Sequence, residues 1–169
     1  MVRRFLPLAG ILSFSMLLLA GCLSSDLRDN QSALRRLGRQ RPSAELAPQE
    51  VVRIQMEALK YNDEKNRGIE IVYRFASPSN KVNTGPLPRF ISMIKGKAYR
   101  PMLNYNTVEY GQVQVMDDLA AQRVAITTEE GFMIVYIFVL SKQQDEDCSG
   151  CWMTDAVFIE AIQKVGESV

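Results

Sequence analysis

The chain has 169 residues, enough for one domain with appendages, of which 47% are hydrophobic and 23% charged. That balance is ordinary for a globular protein and excludes a disordered chain or a multi-span membrane protein. Net charge is +1, so no global field points to nucleic acid, and there is no histidine at all. Without imidazole there is no Ser-His-Asp or Cys-His catalytic pair, no His-liganded zinc or iron and no imidazole proton shuttle.

Arg3 and Arg4 precede an apolar run from Phe5 to Leu19 that only Ser13 and Ser15 interrupt. As a helix, fifteen residues reach about 22 Å, short of the ~30 Å hydrocarbon core, so the run reads as a signal peptide and not a membrane span. It ends at Leu19-Ala20-Gly21-Cys22, which closely resembles the lipobox of bacterial lipoproteins. The alternative is a plain secretory signal with an incidental cysteine. The resemblance implies removal of residues 1–21, a thioether-linked diacylglycerol on Cys22 and an acylated amino terminus. Two or more acyl chains anchor stably where one does not. Leu23 after the cysteine, in place of Asp, implies the periplasmic face of the outer membrane over that of the inner membrane. The mature chain then has 148 residues, with 18 basic and 19 acidic side chains.

Residues 22–47 are expected to be a flexible tether. Their large apolar residues are few (Leu23, Leu27, Leu34, Leu37) and five arginines are interspersed: Arg28, Arg35, Arg36, Arg39 and Arg41. A transient helical turn near Ser32–Arg39 is the most structure expected. As a coil the segment would hold the domain roughly 25–30 Å from a bilayer.

A single domain is expected over residues 48–165. Pro48 and Glu50 suit a helix start, and Val51, Ile54, Ala58 and Tyr61 recur at helical spacing. Asn62-Asp63 marks a break before a second helix, Glu64–Ala76. Ser77–Asn80 and Asn83–Pro86 read as turn clusters. A third, short helix fits Leu87–Ile94, with Gly96 and Pro101 ending it. From Thr107 the pattern turns to strands: Thr107–Met116, Leu119–Thr128, Phe132–Ser141 and Trp152–Ile162. Asp117-Asp118 and Glu129-Glu130-Gly131 form the hairpin turns. The expected fold is α+β, three N-terminal helices packed on a curved four-stranded antiparallel sheet.

That order of elements, with Gln55–Leu59, Asn62-Asp63, Arg74–Pro78, Arg89–Met93, Tyr99–Pro101 and Cys151-Trp152, is similar to an uncharacterised bacterial family of the nuclear transport factor 2-like (cystatin-like) superfamily. The resemblance covers most of Gln49–Ile162 and implies the fold but no assigned activity.

Cys148-Ser-Gly-Cys151 admits three readings. A redox pair needs a helix N-terminus to lower a thiol pKa, whereas Asp145-Glu146-Asp147 precede and a strand follows. A zinc site lacks two further ligands. A structural disulfide in an oxidising compartment is the favoured reading.

Charge is uneven along the chain. Arg74, Lys81, Arg89, Lys95, Lys97 and Arg100 fall in a stretch without an acid, while Glu109–Val169 holds eleven acids against three bases. The six form a candidate basic face toward anionic headgroups or ligands; the alternative, preferred because charge runs are usually surface, is a solvated face countered by the sheet. Phe132–Leu140 has no polar alternation, which implies cover on both faces, most simply by a second copy of the chain and otherwise by the linker or tail.

For catalysis, the resembled fold houses isomerases and dehydratases in a conical pocket. Asp63 or Asp155 with Tyr73, Tyr99, Tyr110 or Tyr136 would supply a base and a donor, yet no spacing requires it. No glycine-rich phosphate loop is present. The sequence therefore leads to a membrane-anchored periplasmic lipoprotein, most simply a non-catalytic binding or assembly module. No catalytic residues, metal, cofactor or nucleic acid are expected, and its small-molecule ligand is unidentified. The alternative is a small-molecule pocket protein, or a metal-free isomerase or dehydratase using Asp and Tyr.

Overall fold

The computed structural model describes residues 19–144 and 148–164. The expected leader lies outside them up to residue 18, as do the acids at 145–147 and the side chain of Cys22. Among the described residues, five helices precede a five-stranded antiparallel sheet, an α+β architecture. The expectation of three helices and four strands undercounts both.

The first additional helix is α1 (Leu19–Gly38), in the segment expected to be a coil. Leu34 and Leu37, three residues apart, are 4% and 0% exposed within the core. Arg36 pairs with Glu57 at 2.8 Å, and the guanidinium of Arg74 donates to the carbonyls of Gly38 and Gln40. A cation on the last carbonyls complements a helix C-terminus. Four leucines are too few for a helix to fold alone, but here the domain supplies the other side of the contact.

The next helix, α2 (Pro48–Lys60), is set by Pro48 in its first turn and by Glu50, whose carboxylate accepts the Ala47 N–H at 2.8 Å. Val51, Val52, Met56, Ala58 and Leu59 are buried, while Ile54 and Tyr61 only border the core. The connection to α3 (Arg67–Phe75) is fixed by Asp63, whose carboxylate accepts from both the backbone and the side chain of Arg67. Gly68 packs against the Ala58 carbonyl so closely that any Cβ there would collide with it.

The second additional helix is α4 (Pro78–Thr84), where two turn clusters were expected. Ser77 is its N-cap, accepting the Asn80 N–H at 3.1 Å, and Pro78 occupies the first turn. Ser-Pro serves a turn or a helix start equally well; the backbone hydrogen bond from Ser77 N–H to the Thr154 carbonyl, 2.9 Å, fixes the chain's entry direction here. The last helix, α5 (Leu87–Ile94), has the expected bounds and buries Phe90 and Ile94, and a 3-10 turn follows at Arg100–Leu103.

The sheet comprises β1 (Tyr105–Tyr110), β2 (Gln114–Met116), β3 (Leu119–Thr128), β4 (Phe132–Lys142) and β5 (Trp152–Lys164). Its order is β1-β3-β4-β5, with β2 pairing to β3 beyond β1. One expected strand, Thr107–Met116, is thus two short strands on one edge. Gly111 interrupts it, lying so close to Arg123 that there is little room for a side chain. Ile126, Ile134, Tyr136, Phe138 and Leu140 face the helices and are buried. On the opposite face Met133, Val135, Ile137 and Val139 are half-buried, so β4 alternates in burial although not in polarity. The outer face is therefore less covered than its sequence implied. Two register shifts on β5 leave Asp155 and Glu160 as the extra residues of β-bulges.

If α1 is part of the folded unit, Leu37→Ala removes a fully buried side chain and is expected to cost about 2–4 kcal/mol in chemical denaturation. A stability equal to that of the unsubstituted chain would return residues 22–47 to a free tether.

Candidate functional site

Between α2–α5 and the start of β5 lies a cavity of about 370 Å³. Its walls are mainly apolar, from Leu59, Val72, Phe90, Ile94, Met102 and Phe138. One polar strip runs along the β5 side. The buried Gln55 amide donates to the Thr154 hydroxyl at 2.7 Å and to the Val51 carbonyl at 3.3 Å. The Thr154 carbonyl accepts from Asn80 Nδ2 at 3.0 Å and from the Ser77 N–H. Those donor contacts fix the orientation of the Asn80 amide and leave its Oδ1 buried without a partner. A buried acceptor left so costs about 1–3 kcal/mol of desolvation.

The cavity and every element that builds it lie within residues 43–165, which match the family described as Domain of unknown function (DUF4864). The chain belongs to that family. No curated protein and no solved structure matches it. Helix α1 precedes the matched stretch and docks onto the DUF4864 domain from outside it.

The acid and tyrosine candidates are scattered over this domain. Only Asp155, the bulge residue of β5, and Tyr99 border the cavity, and the Tyr99 hydroxyl donates to the Val157 carbonyl at 3.0 Å. Asp63 borders a different groove beside α1. Burial raises its carboxyl, but hydrogen bonds and charge from Arg67 together outweigh this and hold it below the usual carboxylate range. Tyr136 is fully buried with its hydroxyl on the Ala98 carbonyl, and burial pushes its pKa upward. Burial and the nearby Glu57 push Tyr110 up to about 12, so neither phenol is a base near neutral pH. Tyr73 packs edge-on against Phe90, with its hydroxyl 3.4 Å from the Gly85 carbonyl. The sequence reading missed Gln55, Asn80 and Thr154. One signal was available: Gln55 falls between Val51 and Ala58 on the apolar stripe of α2, where a polar residue needs a buried partner.

Of the six residues of the candidate basic face, three gather around one groove. Arg74 is engaged with the end of α1, its pKa lowered by burial and by Arg41. Lys81 sits 5.5 Å over the Tyr73 ring, and Arg89 is exposed on α5. Lys95, Lys97 and Arg100 do converge, around a groove that they share with Glu129 and Glu130. Hydrogen bonds from its own backbone and from Thr128 lower the pKa of Glu130, as does the charge of Arg100. The field there is therefore largely balanced.

Cys148 and Cys151 are joined in a disulfide, with their Cα atoms 5.5 Å apart. Reciprocal hydrogen bonds between Gln143 and the Gly150–Cys151 pair close the same loop, which turns through a positive φ at Gly150. Among the described residues no cluster of three acids or cysteines approaches a metal-binding arrangement. No helix among them is long and apolar enough to cross a membrane.

Reduction removes a crosslink worth at most about 2 kcal/mol in chain entropy, so reductant is expected to lower the melting temperature by about 5 °C. An unchanged melting curve would exclude a structural role for the bond. Asp63→Asn is expected to cost about 0.5–1 kcal/mol at neutral pH, through the lost ion pair with Arg67. A depressed carboxylate stabilises above its unfolded pKa and ceases to do so as pH falls through its folded pKa. The difference between variant and parent should therefore vanish in acid, as urea titrations at the two pH values would show.

Proposed function

We propose that this chain is a lipid-anchored protein of the cell envelope whose DUF4864 domain binds a mostly apolar small molecule, without catalysis, on the periplasmic side of the membrane. The carrying observation is the cavity itself. At about 370 Å³ it falls within the range of small-molecule sites, apolar with a few convergent polar groups. Its mainly apolar lining favours a largely hydrocarbon ligand. The anchoring rests on the lipobox resemblance at Cys22, with the outer membrane favoured by Leu23. Helices stacked on one face of an antiparallel sheet around a cavity also support kinship with the nuclear transport factor 2-like superfamily.

The half-buried outer face of β4, with Ala125 on β3 and Ala161 on β5, adds a homodimer to this reading. The Arg123–Glu160 ion pair on that face offers both charges to a copy related by a two-fold axis. A second reading, a metal-free isomerase or dehydratase, is favoured by one observation: Asp155 and Tyr99 border the same cavity.

Native mass spectrometry of the mature chain, taken from the envelope without reductant, tests both parts. A stoichiometric organic ligand is expected, lost in Met93→Trp, which fills the cavity from its α5 wall. A dimer mass is expected, reduced to monomer in Val135→Lys. An empty cavity together with unchanged cellular function of Met93→Trp would overturn the binding role. Loss of function in Asp155→Asn with ligand retained would favour the enzyme.

A further inference from the structure

We infer that the outward face of α1 is a docking surface for anionic lipid headgroups, so that this helix lies between the DUF4864 domain and the bilayer. The choice of occupant rests on the lipid-anchor reading of Cys22, which places a membrane within reach of the same helix. At 100° per residue, Arg28, Arg35 and Arg39 fall within about 40° of one another, at steps of seven and four residues. Leu34 and Leu37, which hold α1 to the core, lie on the other side of the helix. The stripe therefore points away from the domain because the leucines point into it.

All three arginines are exposed, and among the described residues none makes an ion pair or a side-chain hydrogen bond. Among the other described arginines, Arg89 and Arg100 also lack an ion pair or side-chain hydrogen bond, while the rest are engaged. Arg36, Arg67 and Arg123 are paired with acids, Arg53 lies over the Tyr110 ring, and Arg74 holds the end of α1. Gln31 and Ser32 complete a polar groove beside the stripe with no acid in its lining. The nearest acid in the helix, Asp29, lies about 80–120° around it. Planar guanidinium groups at this spacing suit phosphate oxygens, which they bind through paired N–H donors.

Geometry supports the same occupant. Cys22 precedes Arg28 by six residues, about 9 Å along the helix, and the stripe extends about 16 Å further. With acyl chains at one end, a helix lying along the surface brings all three arginines to headgroup level. The domain's orientation is then set by a docked helix and not by a coil. Of the six basic residues of Arg74–Arg100, Arg74 is engaged with α1, Lys81 lies over the Tyr73 ring, and Lys95, Lys97 and Arg100 share a groove with Glu129 and Glu130, which leaves Arg89 as the single unengaged one and no stripe.

The test uses the mature chain, residues 22–169, carrying Cys22→Ser, so that no acyl group contributes. Its flotation is measured with vesicles of phosphatidylcholine alone and of phosphatidylcholine with about one-third phosphatidylglycerol, at millimolar lipid and low salt. Partition onto the phosphatidylglycerol vesicles only, abolished by high salt, is expected. The triple variant Arg28→Ser, Arg35→Ser, Arg39→Ser should lose roughly a hundredfold in partition while melting like its parent, because these side chains touch nothing in the core. Lys95→Ser with Lys97→Ser and Arg100→Ser should leave partition unchanged. Equal partition of parent and triple variant, or loss in the Lys95 set instead, would overturn the inference. Mass spectrometry of the native amino-terminal peptide reads the anchor separately. An unacylated Cys22 with intact vesicle binding overturns the anchor and supports the surface, and an acylated Cys22 without vesicle binding overturns the surface alone.

Discussion

Thr154 joins the two halves of this fold. Its carbonyl accepts from Ser77 at the head of α4 and from the Asn80 side chain, while its hydroxyl accepts from Gln55 on α2. A single strand position thereby ties the sheet to two helices that lie far from it in sequence. Each of these bonds contributes about 1 kcal/mol net, but breaking any of them strands a buried polar group at greater cost. The β-bulge at Asp155 follows at once, so β5 changes course where it leaves the helices. The cavity occupies the space between that anchored point and α5.

Because the polar groups of the cavity are held by each other, they are pre-organised whether or not a ligand is present. Gln55 and Asn80 have fixed amide orientations, and most of the remaining wall is hydrocarbon, apart from Asn83, Thr84, Tyr99 and Asp155. On the proposed reading, such a site would select mainly by shape, a pattern suited to holding a molecule more than to transforming it. Asp63, the more conspicuous acid in the sequence, is spent on the start of α3 and plays no part in that space.

If the proposed anchor holds the chain, the docking of α1 changes the physical picture of how the domain would meet a membrane. A coil over residues 22–47 would leave the domain free to sample orientations, whereas a helix clamped by Leu34, Leu37, Arg36 and Arg74 restricts them. The same contact gives Arg74 a structural task, which removes it from the basic surface that its neighbours in sequence suggested. Charges on a linear sequence are only a list of candidates; pairing and burial decide which of them act on solvent.

The sequence by itself determined the elements whose signals are local. The bounds of α5 follow from Pro86, Gly96 and Pro101, and those of β3 and the start of β4 from Asp117-Asp118 and Glu129-Glu130-Gly131. Helices before strands, the α+β class and the cysteine pair were legible for the same reason. Tertiary structure alone decided that α1 folds, that Ser77-Pro78 opens a helix, and that the first expected strand breaks at Gly111. It also decided the candidate site, because Gln55 and Asn80 meet Thr154 across separations of 99 and 74 residues. No local pattern encodes a hydrogen bond of that span: the two ends become partners only when the sheet has closed over the helices.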